Sequence, residues 1–272
     1  ADETLVDIAT SAGAAALAEV GDEVPAVDAV LVATCTMETP VPNAAARVAT
    51  NLGLEGVGAF DLNAACAGFT YALAVAADMI RSGSSTTVLV VGAEKFTDWI
   101  DPTDRSTAII FADGAGAAVI GPASTEQGAG IGPVVWGSSG DMAEVISIAD
   151  RNSFLHQEGQ TVFRWATTKI APMALEAVAL AGLQPGDIDV LVPHQANLRI
   201  LESIAKALRK AGAREDMVLA RDIVHSGNTS AASVPMALDH LHAEGSTRSG
   251  QVALLVGFGA GLCFAAQAVL LP

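Results

Sequence analysis

The sequence contains little positive charge and few cysteines. Lysine and arginine number 14 among 272 residues, against 30 aspartates and glutamates, which gives a formal net charge of -16. So acidic a chain is poorly suited to a phosphate backbone, and we expect no nucleic-acid partner. The three cysteines, Cys35, Cys66 and Cys263, follow neither a disulfide pattern nor a zinc-binding spacing. This argues against a bound metal and favours a reducing cytoplasm.

Long apolar runs and aromatic residues are also scarce. No stretch approaches the roughly 18–20 apolar residues of a transmembrane helix, so we expect no membrane span. The first four residues lack the basic and apolar regions that begin a signal peptide, and none is expected. The chain has instead 51% hydrophobic residues, with only 4% aromatics and 16% charged residues. This composition is typical of a compact folded protein.

Short apolar runs alternate with helical patterns along the chain. Strands are predicted at residues 28–34, 58–63, 86–92, 114–120, 187–192, 218–222, 251–257 and 263–271. Helices are predicted at residues 4–20, 43–52, 67–81, 161–181, 197–211 and 231–243. The alternation indicates an α/β protein with mostly parallel sheets and helices on both faces. Residues 121–140, rich in Gly, Pro and Ser, are interpreted as a hinge between two similar halves, 1–122 and 123–272.

Cys66 lies where a predicted strand turns into a predicted helix. The amides and dipole of a helix N-terminus stabilise an anion, so we expect a lowered pKa for this thiol. Its neighbours are small, which lets a substrate approach the sulfur. Taken alone, Cys66 also fits a small buried hydrophobic residue. Cys35 and Cys263 are interpreted in that second way, because both lie in strand-like apolar runs.

Two further polar residues follow predicted strands. His194 stands at a strand end, where open α/β sheets place their sites, and can donate a hydrogen bond to a carbonyl or exchange a proton. The amide of Asn228 donates two hydrogen bonds without a charge. A loop-anchoring histidine and a helix N-cap are the alternatives. The glycine-rich residues 257–261 offer amides to an oxyanion, with a hairpin turn as the alternative.

As a set, these segments resemble the β-ketoacyl-ACP synthase III family of the thiolase superfamily. The matching segments are residues 64–71 (Ala-Ala-Cys-Ala-Gly-Phe-Thr-Tyr), 104–116, 193–197 (Pro-His-Gln-Ala-Asn), 227–235 and 257–261. They follow the family order and span nearly the whole chain. Condensing enzymes of the elongating type carry a second histidine in place of the asparagine, so Asn228 favours the initiating type. The family has a further N-terminal stretch, with the first strand and an adenine-stacking tryptophan, before the residue at which this sequence starts.

The resemblance implies a thiolase-like fold and a set of residue roles. The fold has two βαβ-type halves with mostly parallel or mixed sheets in a layered α-β-α-β-α arrangement. Cys66 resembles the acyl-accepting nucleophile, and His194 and Asn228 resemble the pair that binds the malonyl thioester carbonyl. The other implied site residues are the active-site aromatic Phe111, the oxyanion segment at Gly259 and Ala260, and the coenzyme A contacts Arg105 and Asn197.

Two regions are expected to contact partners. Arg199, Lys206 and Lys210 fall on one face of a predicted helix, opposite apolar residues. The resemblance places an acyl carrier protein there, with an ordinary solvated face as the alternative. Val41, followed by Pro42, aligns with a residue that closes the acyl pocket of the partner in a homodimer. Because valine is smaller than the phenylalanine of acetyl-selective members, we expect longer or branched primers, with simple loop packing as the alternative.

The implied reaction is a ping-pong acyl transfer. An acyl group passes from acyl-CoA to Cys66 and is then condensed with malonyl-ACP as CO2 departs, which initiates fatty acid or polyketide synthesis without a cofactor. An acyltransferase of the same fold that uses an alcohol or amine acceptor is one alternative. A non-catalytic scaffold is the other.

Overall fold

A computed structural model of the chain describes residues 3–21, 26–123 and 130–272. Its first half forms a mixed sheet with the strand order β2-β1-β3-β4. The parallel strands β1, β2 and β3 are followed by β4, which runs antiparallel to β3. Their bounds are β1 (Ala29–Ala33), β2 (Gly58–Leu62), β3 (Val88–Glu94) and β4 (Gly114–Ile120).

The second half repeats this topology and adds one strand. Its bounds are β5 (Val135–Ser138), β8 (Val190–Pro193), β9 (Val218–Leu219), β10 (Val252–Gly259) and β11 (Cys263–Leu270), with a separate pair β6 (Ile146–Ser147) and β7 (His156–Gln157). The order is β5-β11-β10-β8-β9, so β9-β8-β10-β11 matches β2-β1-β3-β4 in both order and direction. The two sheets therefore share one topology.

Helices fill three layers around the two sheets. They are α1 (Leu5–Val20), α2 (Ala44–Asn51), α3 (Gly68–Ser82), α4 (Arg105–Ala108), α5 (Gly159–Leu180), α6 (Leu198–Lys210), α7 (Ile223–Ser226) and α8 (Ser233–Ala243). The helices α1 and α2 share a core with the outer face of the first sheet, and α5 and α6 with the outer face of the second. Between the sheets, α3 and α8 share a core with both. The predicted α-β-α-β-α arrangement is confirmed.

Burial on both faces explains why the central strands read as continuous apolar runs. Every residue of β1 and β3 is buried. Along β1, Val30 and Val32 pack against the outer helices, whereas Leu31 and Ala33 pack into the central layer. Strands covered on both sides show no alternation of polar and apolar residues.

The two halves approach each other closely at two glycines. A Cβ atom on Gly92 of β3 would lie 2.5 Å from the carbonyl oxygen of Ala231, in the 3-10 turn Ser230–Ala232. A Cβ atom on Gly68 would lie 3.1 Å from the Cβ of Ala33 and 3.4 Å from that of Ala231. This contact brings the turn that precedes α8 against the end of β3.

The interpretation of residues 121–140 as a hinge is wrong in part. Val135–Ser138 form β5, which pairs with β11, and residues 124–129 lie outside the described residues. The strand predicted at 187–192 begins later, because Pro185–Asp187 form a 3-10 turn. The strand predicted at 218–222 ends after two residues. No helix in the described ranges has the length and apolar character required to cross a membrane.

Candidate active site

A cavity of about 290 Å³ lies at the junction of the two halves. Its lining includes Cys66 from the first half with His194 and Asn228 from the second. Phe111 and the backbone at Gly259 and Ala260 also line it. The structure therefore brings together the predicted nucleophile, the two predicted donors and the predicted oxyanion segment. A larger cavity of about 650 Å³ beside α3 and β11 contains none of these residues.

Cys66 is positioned by a sharp turn between β2 and α3. It lies in the 3-10 turn Ala65–Ala67, directly before the first residue of α3. Ala65 has a φ of 46°, a left-handed conformation that L-residues rarely adopt, and its amide donates to the Asn63 side chain at 3.1 Å. Such strain is retained where the surrounding structure fixes it, and here it places the sulfur at the cavity wall.

The pKa predicted for Cys66 is wrong in direction. Burial, and to a smaller extent the negative charge of Glu94, raise the pKa of its thiol to about 12. Hydrogen bonds from the Ser230 hydroxyl and from the amides of Cys66 and Ala260 oppose this shift and favour the thiolate. Desolvation exceeds these contributions, so the sulfur carries its proton at neutral pH. Acylation therefore requires a group that accepts this proton.

Gly259 is required beside Cys66 for steric reasons. A Cβ atom there would lie 2.6 Å from the Cβ of Cys66 and 3.0 Å from its sulfur. The φ of Gly259 is 179°, which is extended backbone, so the demand is for space and not for an unusual conformation. The glycine-rich segment also differs slightly from its prediction, because Gly259 ends β10 and the turn itself is Ala260–Leu262.

His194 follows β8 and is 2% exposed. Its amide donates to the carbonyl of Val256 at 2.7 Å, and its ring packs edge-on against Phe258 with centroids 5.2 Å apart. Burial lowers the pKa of His194 to about 3, with an opposing contribution from the backbone of Ser230. The imidazole is therefore neutral at physiological pH.

Ser233 fixes one nitrogen of this ring. Its hydroxyl lies 2.7 Å from Nδ1 of His194 and accepts the amide hydrogen of Gln195 at 3.2 Å. The hydroxyl also has a proton that it can donate to Nδ1. When Ser233 donates to Nδ1, the neutral imidazole carries its own proton on Nε2 and can donate it to a substrate oxygen.

Asn228 is oriented by its backbone and by its side-chain oxygen. Its backbone forms a bridge with Phe111, and its amide donates to the carbonyl of Ile110 at 2.9 Å. The Oδ1 atom accepts the amide hydrogen of Ser230 at 2.9 Å. The oxygen is thus engaged and the NH2 group remains to donate. Asn228 does not cap α8, whose N-cap position is Ala232 without a side-chain bond.

Sequence reasoning missed a buried carboxylate behind the cysteine. Glu94 at the end of β3 is 0% exposed, and burial raises the pKa of its carboxyl group. Its oxygens accept hydrogen bonds from the hydroxyls of Thr34 at 3.2 Å, Thr36 at 2.6 Å and Ser230 at 3.0 Å. The sequence signal that could have identified it is an acidic residue two positions after the predicted strand 86–92.

The sequence suggested that Cys35 is an ordinary buried residue of a strand, and this interpretation is wrong. It follows β1, lines the same cavity as Cys66, and donates from its sulfur to Glu94 at 3.3 Å. Desolvation raises the pKa of its thiol, as does the nearby Glu94 carboxylate. Cys263 begins β11, and all three cysteines are free.

The remaining predicted site residues lie outside the cavity, on the surface. Arg105 is in the first turn of α4, and Asn197 caps α6 by accepting from the amide of Arg199 at 3.0 Å. The exposed residues of this group are Val41, Arg105, Asn197, Arg199, Lys206 and Lys210. Leu201, Ile204 and Leu208 are buried on the opposite face of α6, as predicted. In the described ranges, no group of three or more His, Cys, Asp or Glu residues is arranged to hold a metal ion.

Comparisons with known proteins point to one family. The model of 3-oxoacyl-(acyl-carrier-protein) synthase III matches residues 60–140, and the model of its C-terminal part matches residues 178–271. A mycobacterial β-ketoacyl-(acyl-carrier-protein) synthase III from Mycobacterium avium is 48% identical over all of this chain and 82% of the relative. A β-ketoacyl-(acyl-carrier-protein) synthase III from Streptomyces coelicolor is 47% identical over all of this chain and 84% of the relative.

The comparison with solved structures identifies the same kind of protein. The priming β-ketosynthase of the R1128 polyketide biosynthetic pathway is 43% identical, with a TM-score of 0.93 over all of this chain and 83% of that structure. The 3-oxoacyl-(acyl-carrier-protein) synthase III of Pseudomonas aeruginosa PAO1 is 38% identical, with a TM-score of 0.93 over all of this chain and 84% of that structure.

Proposed function

Because the chain belongs to the 3-oxoacyl-(acyl-carrier-protein) synthase III family, we propose that Cys66, His194 and Asn228 perform the condensation of this enzyme type. The enzyme joins an acyl primer to a malonyl unit on an acyl carrier protein and so initiates chain synthesis. The observation that carries the residue assignment is the meeting of these three side chains in one cavity, from segments far apart in sequence. Acyl-CoA is the proposed primer donor.

In the first half-reaction the sulfur of Cys66 attacks the thioester carbonyl and coenzyme A leaves. The amides of Cys66 and Ala260 face the sulfur and are the proposed oxyanion donors. One such donor stabilises a tetrahedral transition state by about 3 kcal/mol. Gly259 keeps the space beside the sulfur open for the acyl group. The product is an acyl-Cys66 thioester.

In the second half-reaction two neutral donors hold the malonyl thioester. The Nε2 hydrogen of His194 and the NH2 group of Asn228 bind the thioester oxygen and stabilise the enolate that forms as CO2 departs. Neutral donors suit this step, because they stabilise the developing anion without transferring a proton and quenching it. The enolate carbon then attacks acyl-Cys66 and releases the sulfur.

A malonyl-dependent assay separates this function from its alternatives. With acyl-CoA and malonyl-ACP, the enzyme should release one CO2 for each β-ketoacyl-ACP formed. An acyltransferase to an alcohol or amine would consume acyl-CoA without CO2 release. A non-catalytic scaffold would do neither.

We also propose a homodimer joined along β2. Within the described residues, no strand pairs with the outer edge of β2, and Phe60 on this strand is 39% exposed. An open strand edge with an exposed aromatic residue is a typical pairing surface. Asp61 accepts the amide hydrogens of Ala44 and Ala45 at 2.8 Å, which fixes the start of α2, three residues after Val41, to this strand. Val41, 78% exposed, is then placed to enter the acyl pocket of the partner.

The surface assignments complete the proposal. Arg105 and Asn197 are proposed to contact coenzyme A, and Arg199, Lys206 and Lys210 on α6 to dock the acidic carrier protein. We propose two thiolase-like halves that meet near residue 122. The three free cysteines fit the cytoplasm. The two proposed half-reactions use acyl-CoA and malonyl-ACP as substrates and require no cofactor.

A further inference from the structure

Glu94 is a buried carboxylate to which the two half-reactions assign no part. It ends β3 in the first half of the chain and is 0% exposed. Its oxygens accept hydrogen bonds from the Thr36 hydroxyl at 2.6 Å, the Cys35 amide at 3.1 Å and the Ser230 hydroxyl at 3.0 Å. Within the described residues, none of the donors to this carboxylate is positively charged. Burying such a group is costly unless its donors are well placed, which favours a role beyond packing.

Ser230 connects this carboxylate to the second half of the chain. The other donors to Glu94, at positions 34–36, belong to the first half. Ser230 has a left-handed φ of 50°, which a serine retains where surrounding contacts fix it. Its hydroxyl bond to Glu94 is one such contact. A second lies beside it, because the Ala231 carbonyl oxygen packs over Gly92, where a Cβ atom would approach it to 2.5 Å. The end of β3 therefore supports this turn at two points.

The same turn orients the side chain of Asn228. Oδ1 of Asn228 accepts the amide hydrogen of Ser230 at 2.9 Å, and Asn228 is 4% exposed. This bond decides which end of the amide faces the turn and which end faces the cavity. A change in the backbone of Ser230 would misalign its amide hydrogen and release the Asn228 side chain. The direction of the Asn228 NH2 group thus depends on the left-handed conformation of Ser230.

We propose that Glu94 is a positioning residue for malonyl decarboxylation, acting through Ser230 on the Asn228 side chain. This inference rests on the proposed role of Asn228 as a donor to the malonyl thioester oxygen. In this role Glu94 does not touch the substrate. Its carboxylate binds the Ser230 hydroxyl, the Ser230 amide binds Oδ1 of Asn228, and the NH2 group of Asn228 is left aligned with the malonyl oxygen. The first half of the chain thus aligns a donor that the second half carries.

Release of CO2 from malonyl-ACP in the absence of acyl-CoA tests this role, because acylation then does not contribute to the measured rate. Ser230→Ala should lower kcat about 10-fold, the ratio expected when a hydrogen bond to a charged group is lost. Glu94→Gln should also lower kcat, since a neutral amide accepts this bond more weakly. The matched control is Thr34→Val, which removes a hydroxyl 3.2 Å from the same carboxylate and leaves Ser230 in place. It should release CO2 at close to the wild-type rate.

A double-mutant cycle separates positioning from a general structural effect. In an Asn228→Ala enzyme the donor that Ser230 aligns is absent, so adding Ser230→Ala should lower kcat no further. The backbone supplies a second readout. Glycine adopts a left-handed φ without strain, so Ser230→Gly should retain a higher kcat than Ser230→Ala although both lack the hydroxyl.

Three outcomes would overturn the positioning role. They are a full further loss when Ser230→Ala is added to Asn228→Ala, equal rates for Ser230→Ala and Ser230→Gly, and a loss in Thr34→Val as large as that in Ser230→Ala. Ser230→Ala keeps the test decisive if Glu94→Gln fails to fold. Wild-type CO2 release by Asn228→Ala alone, or no release by the wild-type enzyme, would instead refute the proposed function.

Discussion

At the scale of single residues, the site requires a residue without a side chain at position 259. A side chain at Gly259 would collide with Cys66. We expect Gly259→Ala to slow Cys66 acylation by about 100-fold, the typical effect of displacing a reacting group by about 1 Å. Overpacking should also lower the free energy of unfolding by about 1–3 kcal/mol. Rapid-quench acylation and urea unfolding measure the two effects.

The matched control for this substitution is Gly140→Ala. Nothing lies within 4 Å of a Cβ atom at Gly140, and its backbone is not left-handed. This variant should acylate at the wild-type rate. If Gly259→Ala acylated at the wild-type rate, a side chain at position 259 would not displace the Cys66 sulfur, and the steric argument would be wrong.

The two donors should affect one half-reaction more than the other. His194→Ala or Asn228→Ala should depress malonyl decarboxylation far more than Cys66 acylation, because both groups address the malonyl oxygen. The pKa of His194 is lowered to about 3, so the neutral donor exists at every pH above that value. Titration of His194 should therefore leave decarboxylation unchanged from about pH 5 to about pH 8. Variants that decarboxylate normally but fail to acylate would contradict these roles.

The sequence predicted Cys66, His194 and Asn228 because each stands in a recognisable segment at a strand end. It did not predict that Glu94 and Ser230 would meet, because 136 positions separate them and only the packing of the two halves joins them. The predicted direction of the Cys66 pKa shift was wrong for the same reason. A helix N-terminus is visible in a sequence, whereas desolvation by residues from the other half is not.

At the scale of elements, long buried strands and amphipathic helices were predictable from their apolar patterns. The strand β1, apolar throughout, and the helix α6, with an apolar stripe, both match their predictions within two residues. The strand β5 was missed because its glycine and tryptophan lie in a segment without periodicity and it forms only by pairing with β11. Two-residue strands such as β6 are too short to leave a pattern at all.

The helix α6 supplies a prediction about the carrier protein. Arg199→Glu reverses an exposed charge on the proposed docking face. It should raise the KM for malonyl-ACP several-fold and leave loading from acyl-CoA unchanged, with a smaller effect at high salt because surface charges are screened over about 8–10 Å. Lys169→Glu makes the same charge change on the exposed face of α5 and should have little effect. A defect in loading instead would contradict the docking role.

At the scale of the whole molecule, the proposed dimer links Val41 to primer choice. Val41→Phe should reduce activity with four-carbon and longer primers and spare acetyl-CoA, because the larger ring would fill the partner's pocket. Each buried methylene contributes about 0.8 kcal/mol, so a few can change primer preference more than tenfold. Steady-state rates across a primer series provide the measurement. An unchanged primer profile, or a monomer by light scattering, would refute this role.

The shared topology of the two sheets explains why the site lies where it does. Each half presents the carboxyl ends of its parallel strands at the junction, so Cys66 after β2 faces His194 after β8. Polar groups from both halves then converge in a cavity that neither half forms alone. The central claim is that this junction loads an acyl group onto one particular sulfur.

Peptide-mapped mass spectrometry after incubation with acyl-CoA, without malonyl-ACP, tests that claim most directly. The account predicts one acyl group per chain, located on Cys66, absent in Cys66→Ala, and discharged when malonyl-ACP is added. An acyl group on Cys35 or Cys263, or none on any cysteine while β-ketoacyl-ACP is still formed, would contradict it.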